Sequence, residues 1–188
     1  LGTLIASNGI TLLRGHAIFI SPTEVKVSGQ DNAMISSEHI IIATGSDSAK
    51  LRGVDVDEKQ IISSTGALVL ENIPATMTVI GAGVIGLELG SVYARLGTKV
   101  TVIEYLDRSV PGMDLEAAKA FQRLLEKQGF TFKLGHKVTA AKTAKSIVTL
   151  TVEPATGGAA EELKSDVVLV AIGRTAYTEG LGAKEAGV

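Results

Sequence analysis

The sequence predicts an α/β fold built on a parallel, doubly wound sheet, and three observations predict it. Several apolar runs, such as 99–103 and 166–172, are continuous Val/Ile/Leu stretches without alternation, as expected of strands covered on both faces. Stretches at helical spacing separate such runs between Met77 and Leu134, giving the order β-α-β-α-β. A glycine cluster, Gly81-Ala82-Gly83-Val84-Ile85-Gly86, sits at the first strand-to-helix junction.

Taken in order, strands are expected at 10–13, 24–27, 39–43, 77–80, 99–103, 130–134, 147–152 and 166–172. The first helix carries Ile85, Leu89, Val92 and Leu96 at helical spacing, and Gly97 stops it. Asp114 is placed to cap the second, whose stripe is Ala118, Phe121 and Leu125 before Gly129. Beyond Leu134 the pattern turns to a β-hairpin or meander, with Pro154-Ala155-Thr156-Gly157-Gly158 as its turn. The segments before about residue 50 and after about residue 173 are not expected to complete a second sheet by themselves. No repeat of solenoid period is present.

Composition excludes several classes. With 45% hydrophobic residues and 21 glycines without a Gly-X-Y period, the chain of 188 residues is neither disordered nor collagenous. A net charge of −2 offers no broad basic surface, so nucleic acid is not an expected partner. Glu88 and Arg95 interrupt the best apolar stretch below the roughly 18 residues of a membrane span, so no membrane partner is expected. No metal site is expected either. Leu1-Gly2-Thr3-Leu4 has no basic region and no Met, which points to the interior of a longer protein rather than a signal peptide. The absence of cysteine fits a reducing compartment.

The glycines have separate physical roles. Gly81 permits the sharp turn leaving the strand, Gly83 lets a pyrophosphate approach the backbone, and Gly86 brings the helix close to the sheet. Gly90, one turn on, keeps that face small. Free N–H groups and the helix dipole then favour a diphosphate. The plainer reading, a glycine-rich turn that only packs tightly, stays open at this point. A Rossmann-type context strengthens the ligand reading, because a second strand ends in an acid, Glu104, about 20 residues past the glycines. Its carboxylate suits ribose hydroxyls. A 2′-phosphate there would meet a like charge, costing about 4 kcal/mol at about 4 Å and an effective dielectric of about 20. Arg108, further along, is a solvated loop charge, and NAD is favoured over NADP.

Ser63-Ser64-Thr65-Gly66-Ala67-Leu68, Gly81 through Tyr93, Val100-Thr101-Val102-Ile103-Glu104, Pro111-Gly112-Met113-Asp114, Phe121-Gln122-Arg123-Leu124-Leu125 and Ala171-Ile172-Gly173-Arg174 together resemble the dihydrolipoyl dehydrogenases, of the pyridine nucleotide-disulfide oxidoreductase family. The resemblance covers essentially the whole chain. It implies an NAD domain interrupting an FAD domain. It also implies electron transfer from dihydrolipoamide through a cysteine pair and FAD to NAD+, yielding lipoamide and NADH. On this basis residues 1–50 are a partial FAD-domain segment, 51–72 a crossover, 73–172 the NAD-binding domain and 173–188 the return toward the FAD domain. For NAD, the resemblance implies contacts at Gly81, Ala82, Gly83, Val84, Ile85, Gly86, Leu87, Glu88, Glu104, Val138 (in the adenine pocket) and Gly173. Glu88 is implied to lie near the nicotinamide, the alternative being a first-turn carboxylate favoured by the helix dipole. For FAD it implies Gly15, Ala17, Thr44, Gly45 and Ser46, the last three alternatively an ordinary strand-end turn. A homodimer, association with 2-oxo acid dehydrogenase complexes, and bacterial cytoplasm or mitochondrial matrix follow from the resemblance alone.

Departures bear on activity. There is no second GxGxxG, no cysteine, no C-terminal Gly-Asp flavin motif and no His-Pro loop, and Thr175-Ala176-Tyr177 departs from the Arg-Pro stretch of relatives. His16, His39 and His136 are expected at surface or turn positions. Dithiol exchange needs a thiolate, so these 188 residues alone are expected to be inactive toward dihydrolipoamide. Two alternatives remain open: a related flavoprotein disulfide reductase or NADH oxidase, and a truncated, non-catalytic NAD(H)-binding module.

Overall fold

The computed structural model describes residues 2–188, so Leu1 of the opening segment lies outside the described residues. The chain divides into two compact units, Leu1–Asp47 with Ala176–Val188, and Ser48–Thr175. Among the described residues no helix is long and apolar enough to cross a membrane.

The first unit opens with helix α1 (Gly2–Ser7), followed by β1 (His16–Ser21), β2 (Glu24–Ser28) and β3 (Ala33–Ser36). These three strands form an antiparallel sheet in sequence order, with Phe19 and Val27 buried. The segment before residue 50 therefore does hold a sheet of its own, contrary to expectation. Of the runs expected there, 24–27 is a strand, whereas 10–13 and 39–43 are not. Apolar side chains alone do not make a strand without a neighbouring ladder and a face to bury; Ile41 is 91% exposed. Strand β1 carries the apolar run Ala17-Ile18-Phe19-Ile20 and, unlike 10–13 and 39–43, has a partner, pairing antiparallel with β2.

Strand β4 (Ser46–Ser48) comes next, then β5 (Ile61–Ile62), α2 (Ser64–Ala67), β6 (Thr76–Ile80), α3 (Val84–Arg95), β7 (Lys99–Glu104), α4 (Leu115–Lys127) and β8 (Thr131–Leu134). A three-stranded stretch follows, β9 (His136–Ala144), β10 (Ile147–Pro154) and β11 (Glu161–Ser165), then β12 (Val167–Val170) and β13 (Arg174–Ala176). Strands β4 and β13 pair as a two-stranded sheet.

The central sheet has the order β5-β12-β6-β7-β8, parallel throughout. From β6 the chain steps outward through β7 and β8, then returns to the other side of β6 as β12. The strand order reverses there, and a crevice opens beyond the carboxyl ends of β6 and β12. Alternate side chains of the strands serve two cores. Met77, Val79, Val100, Val102, Val167 and Leu169 pack with Leu87, Tyr93, Ala118, Leu125 and Phe130 of the helical side. Ile80, Ile103, Val168 and Val170 pack instead with Val138, Val148, Leu150 and Val152 of the antiparallel β9–β11 sheet. Both faces are covered, as the unbroken apolar runs predict, but the second cover is a sheet rather than helices. Each fully buried Val or Leu contributes about 1.5–3 kcal/mol. The buried hydroxyls of Thr78 and Ser165 satisfy each other at 2.5 Å.

The two expected helices form as α3 and α4, while the short α1 and α2 are not among those expected; the buried faces of α3 and α4 differ from the apolar stripes. Helix α3 buries Gly86, Leu87, Gly90 and Tyr93, while Val92 and Leu96 are 45% and 53% exposed. Close approach selects this side. A Cβ on Gly86 would stand 2.6 Å from the Gly81 carbonyl oxygen, and one on Gly90 would stand 3.2 Å from the Phe130 ring. In α4, Ala118 and Leu125 are buried but Phe121 is 37% exposed.

Candidate functional site

The site grows from the turn that ends β6. The amide of Gly81 continues the ladder by donating to the Ile103 carbonyl at 2.8 Å. Gly81 has φ +103, and a Cβ there would sit 2.5 Å from the Ala171 carbonyl oxygen. Only glycine satisfies both conditions. Ala82 is then held at both of its peptide groups. Its N–H donates to Glu104 Oε2 at 2.7 Å, and its carbonyl accepts from the Val110 amide at 2.8 Å. Val110 has φ 39, an uncommon backbone for a β-branched residue, and is buried in the helical-side core.

Gly83 is the N-cap of α3, with extended backbone (φ −80, ψ 177) and no side chain hydrogen-bonded to the first turn. A Cβ on Gly83 would meet no protein atom within 4 Å. The contrast with Gly86 divides the motif's roles: packing within the protein demands glycine at Gly86, and nothing in the protein demands it at Gly83. Space kept free of side chain beside uncapped amides fits a diphosphate.

Glu104 ends β7 one strand away. Its two oxygens accept from Ala82 N–H and, at 2.9 Å, from Leu106 N–H, which fixes the carboxylate at the rim. A cleft of about 500 Å³ runs along the carboxyl ends of the strands, bordered by Gly81, Gly83, Val84, Ile85, Glu104 and Gly173, with Ser64, Leu106, Pro111 and Ile172. A second cleft of about 290 Å³ adjoins Gly81 and Glu104 and is lined also by Tyr105, His136, Lys137 and Val138. These volumes suit a dinucleotide laid across the switch point, with a base in the smaller space.

Of the residues singled out for NAD, Gly81, Gly83, Val84, Ile85, Glu104 and Gly173 border the first cleft and Val138 the second. Ala82, Gly86 and Leu87 are buried behind the turn. Glu88 is exposed, borders neither cleft and lies past the first turn of α3, which holds no acid, so the dipole alternative for it does not hold. Ser63 caps the short α2 through Thr65 N–H at 3.1 Å. Arg108 is exposed, donating to the Pro111 carbonyl at 2.7 Å.

The residues singled out for FAD all lie in the first unit. A Cβ on Gly15 would stand 2.8 Å from the Ser28 carbonyl oxygen, so backbone packing already requires that glycine. Ala17 is half-buried on β1. Thr44 donates its hydroxyl to the Tyr177 carbonyl at 2.5 Å, Gly45 accepts from Tyr177 N–H at 3.0 Å, and Ser46 begins β4. None of the five borders the two clefts described.

Sequence reasoning missed Ser64, Tyr105, Val110 and Pro111. Only Pro111 carried a local signal, as a turn residue next to the acid-bearing strand end. His16 and His39 are exposed as expected, but His136 is not a simple surface residue. It is half-buried, lines the second cleft and sets Nδ1 2.7 Å from the Leu134 carbonyl oxygen.

Comparison with known proteins follows the same lines. Residues 2–188 match the family described as pyridine nucleotide-disulphide oxidoreductase. A mitochondrial dihydrolipoyl dehydrogenase of Pisum sativum is 50% identical over 98% of this chain and 37% of its own length. Dihydrolipoyl dehydrogenase 3 of Pseudomonas aeruginosa is 52% identical over 98% of this chain and 40% of its own. A copper(II) complex of the HOCl-induced flavoprotein disulfide reductase RclA from Escherichia coli superposes with a TM-score of 0.78, at 28% identity, over 95% of this chain and 40% of that one. The chain thus spans about two fifths or less of the length of these relatives.

Proposed function

Because the chain belongs to the pyridine nucleotide-disulphide oxidoreductase family, we propose that its second unit binds NAD(H), and that the whole protein is an FAD-dependent dihydrolipoyl dehydrogenase. The observation that carries the coenzyme reading is Gly83, whose missing Cβ serves no packing purpose, at an uncapped helix end beside Glu104.

In this reading the amides of the first turn of α3 hold the diphosphate. Glu104, already oriented by the Ala82 and Leu106 amides, accepts from the adenosine ribose hydroxyls and repels a 2′-phosphate. Val138 borders the adenine, and Gly173, which lines the larger cleft, leaves room for the nicotinamide. Glu88, exposed on α3, is assigned to the nicotinamide side on the resemblance alone. When bound, the nicotinamide supplies hydride chemistry. This chain's residues contribute orientation and exclusion of the phosphorylated coenzyme.

FAD is proposed as the second cofactor of the whole protein, with Gly15, Ala17, Thr44, Gly45 and Ser46 contributing. Their bonds here also serve the first unit's own packing, so this assignment rests on the resemblance. No thiol is present among these 188 residues, and we expect them to bind NADH without oxidising dihydrolipoamide. A homodimer, association with 2-oxo acid dehydrogenase complexes, and a bacterial cytoplasmic or mitochondrial matrix location belong to the same proposal. The likeness to RclA supports one other reading, a different flavoprotein disulfide reductase sharing this coenzyme unit.

Calorimetric titration tests the coenzyme reading. NADH should release heat on a single site, and NADPH should bind at least about tenfold more weakly given the like charge at Glu104. A folded sample that gives no heat with NADH overturns the reading.

A further inference from the structure

The smaller cleft holds one ring that the coenzyme reading leaves without a role. His136 lines it beside Tyr105 and Val138, and its Nδ1 stands 2.7 Å from the Leu134 carbonyl oxygen. A carbonyl only accepts, so Nδ1 carries the proton of that bond. In the neutral ring Nε2 is then a bare acceptor, on the ring edge facing away from the Leu134 carbonyl. Of the charged side chains nearby, Glu161 is held below the usual carboxylate range chiefly by its bond to Lys133, and interacts with the His136 ring more weakly. Lys137 pairs with Glu153 at 3.0 Å, and Lys133 with Glu161 at 2.7 Å.

We propose that His136 selects the base of the dinucleotide, its Nε2 accepting a hydrogen bond from the exocyclic amino group of adenine. The inference rests on the NAD(H) reading above and deepens it. A base carrying an oxo group at that position presents an acceptor to an acceptor. The bond is then lost and two lone pairs face each other in a confined space. Val138 and Tyr105 give shape and apolar contact, which hardly separate one purine from another, so the discrimination falls to His136.

The test compares NADH with its hypoxanthine analogue, reduced nicotinamide hypoxanthine dinucleotide, by titration at mildly alkaline pH. The full 188-residue chain should prefer NADH roughly three- to tenfold. His136→Asn, whose amide nitrogen replaces Nδ1 against Leu134 but which has nothing at the Nε2 position, should bind both dinucleotides about equally. His136→Gln, whose carbonyl oxygen can reach the Nε2 position, should retain most of the preference. Circular dichroism identifies any variant that has not folded, and the wild-type comparison can by itself overturn the proposal whatever the variants do. Wild-type protein that binds both dinucleotides equally, or a His136→Asn variant that keeps the full preference, overturns the proposal while leaving NAD(H) binding intact. Failure of wild-type protein to bind either dinucleotide removes the coenzyme reading, and this proposal with it.

Discussion

Helices α3 and α4 follow neighbouring strands of one sheet, yet they begin in opposite ways. Asp114 closes α4 with its own carboxylate, accepting from the amides of Glu116 and Ala117 at 3.0 Å each. Gly83 opens α3 and offers its first turn no side-chain acceptor. Both helices face the same energetic problem, since the first amides of any helix lack an internal partner. One solves it within the chain and so contributes only stability. The other leaves its first amides without a side-chain acceptor beside a space no side chain fills, as the proposed diphosphate site requires. A helix start is therefore informative about function when the expected cap is missing and the missing atoms are not needed for packing.

The comparison can be broken most severely at Gly86. A Cβ there meets the Gly81 backbone oxygen at 2.6 Å and Val79 Cγ1 at 2.8 Å, so Gly86→Ala should cost about 3 kcal/mol of stability by chemical denaturation. Glu104→Ala removes a charged acceptor from Ala82, Leu106 and the proposed ribose. NADH affinity should fall about tenfold to a hundredfold in a calorimetric titration. Gly83→Ala should lower NADH affinity about tenfold while costing no more than about 1 kcal/mol of stability, because the added methyl meets no protein atom and the poorer N-cap is the one remaining cost. Equal NADH affinity with and without that methyl would erase the contrast between the two helices. The counterpart, Asp114→Ala, should cost about 1 kcal/mol of stability and leave NADH affinity unchanged.

The smallest effect sharpens the same point at a turn outside the helices. Burial raises the Asp57 pKa, but hydrogen bonds from the Lys59, Ile61 and Gln60 amides outweigh it and hold the carboxyl below its usual range. Its folded pKa is thus below the unfolded one. The stabilisation is present above the unfolded value and is lost as pH falls through the folded one. Asp57→Asn should flatten the acid limb of a stability–pH curve slightly and leave neutral-pH NADH binding alone.

Much of the second unit was legible because its signals are local and redundant. The glycine turn, the apolar strands and the Asp114 cap each name a position without reference to distant residues. The packed face of α3 was legible in its glycines and not in its apolar stripe: Gly86 and Gly90 lie against the sheet side as expected, while Val92 and Leu96 of the stripe stay exposed. The antiparallel cover on the second face was half visible, as β10 and a turn, while β9 runs through small and polar residues that alternate weakly. In the first unit, 10–13 and 39–43 looked like strands because apolarity was all that could be read, and ladders are formed between segments, not within them. Within the site, the acid was legible at a fixed offset from the glycines. Val110 and Tyr105 reach it through loops whose course no pattern encodes, and His136 by its place at the start of β9.

The chain enters the second unit beside the place where it leaves. Strand β4 lies against β13, and the Ala49 amide donates to the Gly173 carbonyl at 3.0 Å. A module whose leads run side by side can be spliced into a surface loop of a host without stretching either partner. It can equally be given new ends at an exposed tip, such as the turn between β10 and β11, after its old ends are joined by a short linker. The proposed coenzyme site is thus packaged as a transferable cassette.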